Sequence, residues 1–110
     1  MNKKYIIKKN EEIQFTLSHG KKIVSKLFII YHINNNINHN RYCISVSKKI
    51  GKANIRNLFK RRIKDILIKN DINNSNDYVI IVRNAILMVD YSGIKEELNK
   101  IMKGEKNEKK

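Results

Sequence analysis

Between Arg41 and Val82 the hydrophobic period switches from two to 3.6 and back again. Arg41 to Ser47 alternates, with Tyr42, Ile44 and Val46 on one parity and Cys43, Ser45 and Ser47 on the other, the mark of a half-buried strand. From Gly51 to Asn70, stepping about 100° per residue from Ile55, the apolar Leu58, Phe59, Ile63, Ile66 and Leu67 gather in an arc of about 180°. Arg56, Asn57, Lys60, Arg61 and Lys64 cover the opposite arc, which predicts an amphipathic helix with a basic outer face. Tyr78-Val79-Ile80-Ile81-Val82 returns to a buried strand pattern. A helix set between strands in so little chain needs a sheet to lie on.

The flanking segments extend that sheet. Asn10 followed by Glu11 and Glu12 predicts a helix from Glu11 to His19, with Asn10 as its cap and the acids at the positive end of its dipole. Ile13, Leu17 and Phe15 supply its apolar contacts, His19 sits at its negative end, and Gly20 stops it. Leu27-Phe28-Ile29-Ile30-Tyr31 is apolar on both parities, so Lys22 to Ile33 reads as strand covered on two sides and long enough to break in two. Asn34 to Asn40 is a polar connection, and Asp77 ends a turn. Asp90 or Ser92 caps a last helix carrying Ile94, Leu98, Ile101 and Met102, ended by Gly104, and Lys103 to Lys110 reads as a disordered basic tail. No internal repeat is visible. One domain spanning residues 1–110, ordered over about 5–102, fits a chain of 110 residues without proline. The expected fold class is α+β, a two-layer α-β sandwich with one small sheet.

Lys and Arg number 24 against 10 Asp and Glu, a net charge of +14. Part of that excess belongs to a general richness in Asn, Ile and Lys, so position carries more information than the total. Lys48, Lys49, Lys52, Arg56, Lys60, Arg61, Arg62 and Lys64 fall within seventeen residues with no acid among them. An isolated basic run is ordinarily a solvated helix face. The missing acids, and Asn57 set among arginines, favour contact with phosphates instead, whose neutralisation releases condensed counterions and gives tight, salt-sensitive binding.

Other functions are poorly served. Cys43 is the only cysteine, which excludes an internal disulfide and fits a reducing cytoplasmic setting. The longest apolar runs fall far below the roughly 20 residues of a membrane span, and no secretory apolar region follows Met1. His19, His32, His39 and Cys43 have no zinc-site spacing, and Asp77 and Asp90 lack partner carboxylates in sequence. No catalytic residue and no metal ligand is expected in this chain.

Ser45-Val46-Ser47-Lys48-Lys49-Ile50-Gly51-Lys52-Ala53 followed by Ile55-Arg56-Asn57-Leu58-Phe59-Lys60-Arg61 resembles the signature of the protein subunits of bacterial ribonuclease P. Lys8-Lys9-Asn10-Glu11-Glu12, His19-Gly20, Phe28 to Tyr31 and Asp77 to Ile81 stand at the spacing of that family, so the likeness covers roughly residues 5 to 102. It implies a mixed sheet with three helices and a left-handed crossover from the Ser47 strand through the basic helix to the Tyr78 strand, against the usual right-handed rule. The resemblance further implies that the protein binds a large catalytic RNA and the single-stranded 5′ leader of precursor tRNA, with no membrane and no DNA as partner. The RNA would perform the hydrolysis, using Mg2+ in the holoenzyme.

Carried over residue by residue, Arg56, Asn57, Lys60 and Arg61 match the RNA-contacting motif and Lys48 and Lys49 its leading lysines. Lys52, Arg62 and Lys64 extend the same basic region. Tyr31, Ser45 and Ser47 fall where the family lines a leader cleft between the first helix and the sheet. Two departures stand out. Ile13 and Leu17 occupy first-helix positions on the cleft side where relatives commonly carry aromatics, and Leu58 replaces the second arginine of the R-N-R motif. Arg62, at i+4 from Leu58, is placed to return the missing guanidinium to the same face. The rivals are a structural RNA-binding protein of ribosomal type, a self-sufficient basic nuclease and, more weakly, a helix-turn-helix DNA binder.

Overall fold

The computed structural model describes residues 3–70 and 74–104. Its elements are α1 (Asn10–His19), β1 (Lys21–Val24), β2 (Phe28–Asn34), β3 (Arg41–Ser45), α2 (Ala53–Asn70), β4 (Asn76–Val82) and α3 (Tyr91–Met102). Short 3-10 turns at Lys3–Tyr5 and Asn84–Met88 complete the order. The strands form one sheet in the order β1-β2-β4-β3, with β1 and β2 antiparallel, β2 and β4 antiparallel, and β3 parallel to β4. β4 thus enters between two strands that precede it, and α2 is the crossover that makes the parallel pairing possible.

Alternation sorts the strand residues onto two faces. Phe28, Ile30, Tyr42, Tyr78, Ile80 and Val82 face α2 and α3, whose Phe59, Ile63, Ile66, Leu67, Ile94, Leu98, Ile101 and Met102 complete the main core. Fully burying an Ile or Leu side chain contributes about 1.5–3 kcal/mol. The opposite face carries Ile29, Tyr31 and Ile33 from β2, Asp77, Val79 and Ile81 from β4, and Arg41, Cys43 and Ser45 from β3. α1 crosses one end of that second face, so the sheet has a full helical layer on one side and a partial one on the other.

Several boundaries depart from the sequence pattern. α1 begins at Asn10 itself, with Lys9 at the cap position and no side-chain cap, because the acids and the packing of the helix on the sheet suffice to start it. The buried centre of α1 is Thr16, fully enclosed with its hydroxyl donating to the Glu12 carbonyl at 2.9 Å, while Phe15 stays 53% exposed. Gly20 follows the helix in extended conformation, its amide donating to the Thr16 carbonyl, and must be glycine because a Cβ there would lie 2.5 Å from the Thr16 carbonyl oxygen and 2.8 Å from that of His32. The long apolar strand breaks at Ser25, whose hydroxyl donates to Glu97 on α3 at 2.6 Å while the same carboxylate accepts the Leu27 amide at 2.8 Å. β3 stops at Ser45, leaving Val46 to reach the core and Ser47 to open a turn.

Asp77 does not end a turn; it is a buried member of β4. Asp90 is the cap of α3, accepting the Gly93 amide at 3.0 Å. After α3, Gly104 has φ 76°, the left-handed conformation of a helix-ending glycine. The expected disordered tail lies, from residue 105 onward, outside the described residues. Among the described residues no helix is long and apolar enough to cross a membrane.

Candidate nucleic-acid interface

The turn from Ser47 to Gly51 positions the start of the basic region. Ile50 is buried and anchors it; the Ser47 hydroxyl accepts the Lys49 amide at 3.1 Å and the Ser47 carbonyl accepts the Ile50 amide at 3.0 Å. Lys48 and Lys49 are thereby held outward at the tip, and Lys52 is exposed just before α2. Arg56 folds back, its Nε donating to the Gly51 carbonyl at 3.2 Å. Gly51 is closely overlain by Ile55, 2.9 Å from where a Cβ would sit. Ile55 is therefore a cover for the turn and not a member of the core arc.

Along α2, Asn57 and Arg61 are exposed, while Arg56, Lys60, Arg62 and Lys64 are half-buried along their stems. None of the eight cations from Lys48 to Lys64 makes an ion pair with a described residue. The basic face turns the corner of the sheet: Lys60 and Lys64 line a groove of about 170 Å³ with Ile6, Ile7, Tyr42, Cys43 and Ile44 on the outer edge of β3. Burial raises the Cys43 thiol pKa above its ordinary value, and the charge of Lys60 opposes that rise. Leu58 and Arg62 are both half-buried one turn apart, and Arg62 makes no hydrogen bond to a described residue.

The second sheet face supplies the other candidate surface. The register sets Cys43 beside Val79 and Val79 beside Tyr31, and in the next row Ser45 beside Ile81 and Ile81 beside Ile29. α1 lies over the preceding row of Arg41, Asp77 and Ile33. With Thr16 pointing down, helical geometry turns Ile13 and Leu17 to one flank and Phe15 and His19 to the other. Phe15 borders Ile33, Asn34 and Asn35, so its flank faces the end of the sheet and the Ile13 and Leu17 flank faces the Tyr31 row. Tyr31 and Ser45 are thus brought onto one open floor beside Ile13 and Leu17. Ser47 lies two residues beyond the end of β3, exposed, and its hydroxyl accepts the Lys49 amide in the turn.

What fixes α1 above the floor is a charge network that the sequence pattern did not mark. Arg41 donates to Asp77 through Nε at 2.9 Å and Nη2 at 2.7 Å, and to Glu12 on α1 through Nη1 at 3.2 Å. Asn35 donates to Asp77 at 2.8 Å. The hydrogen bonds from Arg41 to Asp77 hold the guanidinium above its ordinary pKa despite the opposing effect of burial. The one sequence hint was an acid, Asp77, directly before the apolar run of β4; its partners come from register.

Among the described residues no three His, Cys, Asp or Glu side chains gather as a metal-holding group. Asp77 and Glu12, the acids nearest the open floor, are bound to Arg41. These side chains do not fit a magnesium cage.

A mixed four-stranded sheet, an open face roofed at one end by a helix, and an unneutralised basic helix at its edge define a small basic α+β protein suited to a polyanionic partner. The comparisons with known proteins make the class specific. The Ribonuclease P family model matches residues 1–105. The ribonuclease P protein component of Mycoplasma mycoides is 41% identical over 107 residues, covering 94% of this chain and 97% of that protein. That of Streptococcus agalactiae is 34% identical over 104 residues, covering 94% and 95%. Among solved structures, the RNase P protein of Staphylococcus aureus superposes with a TM-score of 0.82 at 34% identity, covering 93% of this chain and 95% of that one. The RNase P protein of Thermotoga maritima gives 0.81 at 26% identity, covering 89% and 94%. The chain belongs to the ribonuclease P protein family.

Proposed function

We propose that this chain acts as the protein cofactor of ribonuclease P, an RNA-based endonuclease that removes the 5′ leader of precursor tRNA. Membership of the family makes it a subunit of an endoribonuclease complex, with the RNase P RNA as the partner that membership implies. The observation that carries the reading further is the set of eight cations from Lys48 to Lys64 without an acid partner among the described residues, beside an open sheet floor. Cations used to hold a fold are neutralised; cations left exposed are available to phosphates. In this reading Lys48, Lys49, Lys52, Arg56, Asn57, Lys60, Arg61, Arg62 and Lys64 bind the catalytic RNA. The leader lies on the floor between α1 and the sheet, with its bases against Ile13, Leu17 and Tyr31 and its backbone near Ser45.

The chain's own work is binding and orientation. An aromatic on a strand accepts a base of any sequence, which suits leaders of varied composition. In this reading bond cleavage belongs to the RNA, with magnesium used by the RNA–protein complex; among the described residues no three His, Cys, Asp or Glu gather as a metal-holding group. The setting is the cytoplasm.

Reconstitution tests this reading. Purified chain alone should not cleave precursor tRNA, catalytic RNA at low magnesium should cleave slowly, and the two together should cleave faster with a lower KM. Cleavage by the chain alone would instead indicate a self-sufficient nuclease. RNA binding without any effect on cleavage would indicate a structural RNA-binding protein.

A further inference from the structure

The row of the sheet that carries Tyr31 crosses all four strands. In order it holds Lys22 on β1, Tyr31 on β2, Val79 on β4 and Cys43 on β3. Three strand spacings separate its ends, about 14 Å. Each end has a cation. Lys60 shares a groove with Cys43 at the β3 end, and at the β1 end the Lys22 ammonium lies 5.8 Å from the centroid of the Tyr31 ring. Lys22 is exposed and forms no ion pair with a described residue.

An ammonium held over a half-exposed aromatic puts a charge for the phosphate at the ring on which a base would stack once the lysine swings aside to that phosphate. The need is greater here because the α1 wall of the floor is aliphatic. Ile13 and Leu17 give apolar contact but no π-face, so electrostatic contact along the row adds to the single stack on Tyr31.

We propose that Lys22 is a nucleotide-binding residue, whose ammonium takes the phosphate of the nucleotide stacked on Tyr31 at the β1 end of this row. The inference rests on the leader reading of the floor and adds to it a residue. A different role for Lys22 is open to test, because lysines on edge strands also discourage edge-to-edge aggregation. Lys21 separates the two. It lies on the same edge strand but projects from the other face, paired with His32. Edge protection would treat both lysines alike, whereas phosphate binding on the floor needs only Lys22.

The experiment measures the affinity of the reconstituted holoenzyme for a precursor tRNA and for the mature tRNA, across a salt series, with Lys22→Ala, Lys22→Arg, Lys21→Ala and Tyr31→Ala. Melting of each free protein is recorded alongside. Lys22→Ala should weaken precursor binding about two- to fivefold at low salt and leave mature tRNA unchanged. Losing one single-strand phosphate contact should also flatten the slope of log affinity against log salt by about 0.7. Lys22→Arg should behave as the parent, and Lys21→Ala should show no leader-dependent loss. If Tyr31→Ala lowers precursor affinity while Lys22→Ala does not, the cleft reading stands and the Lys22 proposal is overturned; equal losses from Lys21→Ala and Lys22→Ala overturn it as well. If neither Tyr31→Ala nor Lys22→Ala changes the preference for precursor, the cleft reading itself fails and takes the proposal with it.

Discussion

Arg41 and Arg56 stand only fifteen positions apart in the sequence, and they meet opposite surroundings. Arg41 is enclosed between β4 and α1 and gives its hydrogen bonds to two acids, Asp77 and Glu12. Arg56 begins the run of α2 cations up to Lys64, which make no ion pair with a described residue; its own Nε donates to the Gly51 carbonyl. The difference teaches how to read charge in so basic a chain. A cation that the fold uses is neutralised and desolvated, so its loss appears as instability. A cation that the fold does not use stays solvated, so its loss appears only when the partner is present.

The sharpest break of that comparison is at Asp77. Removing one partner of a buried ion pair leaves the other charge uncompensated, and Asp77→Ala should cost about 3 kcal/mol of folding stability. That is the low end of the usual range, chosen because the Arg41 side chain keeps 19% of its exposure. Denaturant unfolding of the free protein measures it, and a cost below about 1 kcal/mol would mean that the network does not hold α1 down.

On the other side, Arg56→Glu together with Lys60→Glu should weaken binding to the catalytic RNA about a hundredfold at 0.1 M salt and reduce the salt slope by about two. Melting should change far less than for Asp77→Ala, since a glutamate at 56 near the start of α2 gains from the helix dipole against the lost bond to the Gly51 carbonyl, and Lys60 makes no ion pair with a described residue. If affinity and slope both held, the basic face would be an ordinary solvated surface. Tyr31→Ala stands between the two regions: the residue is half-buried but faces the open floor. Loss of one base stack should cost about 1–3 kcal/mol of precursor tRNA affinity and leave mature tRNA binding nearly intact. Equal losses for both substrates would make Tyr31 a packing residue.

The smallest expected effect sharpens the α2 side. Arg62→Ala should lower affinity for the catalytic RNA about two- to fivefold, and adding Leu58→Arg should recover most of it, because the arginine at 62 leans back over the turn that begins at 58. A loss that follows the melting temperature and is not recovered would leave Arg62 as a packed stem.

Local order decides much of this molecule. The period switch between Ser47 and Asn70 predicts β3, α2 and the basic outer face, because both periodicities are properties of a few consecutive residues. The same holds for the cap at Asp90 and the stop at Gly104. Tertiary structure decided which charges are neutralised. Asp77 looks like a turn residue along the chain, yet β4 enters between β2 and β3 and sets it opposite Arg41, 36 positions away. Thr16 is ordinary in sequence and Gly20 reads there only as a helix stop; the close approach of α1 to β2 makes one the buried centre of the helix and the other irreplaceable by a residue with a Cβ. Lys22 and Tyr31 are nine residues apart with no pattern linking them until the hairpin register sets them side by side. Pairing register and the meeting of distant strands depend on the whole core at once, and alternation within one segment carries no record of which partner residue will stand across from it.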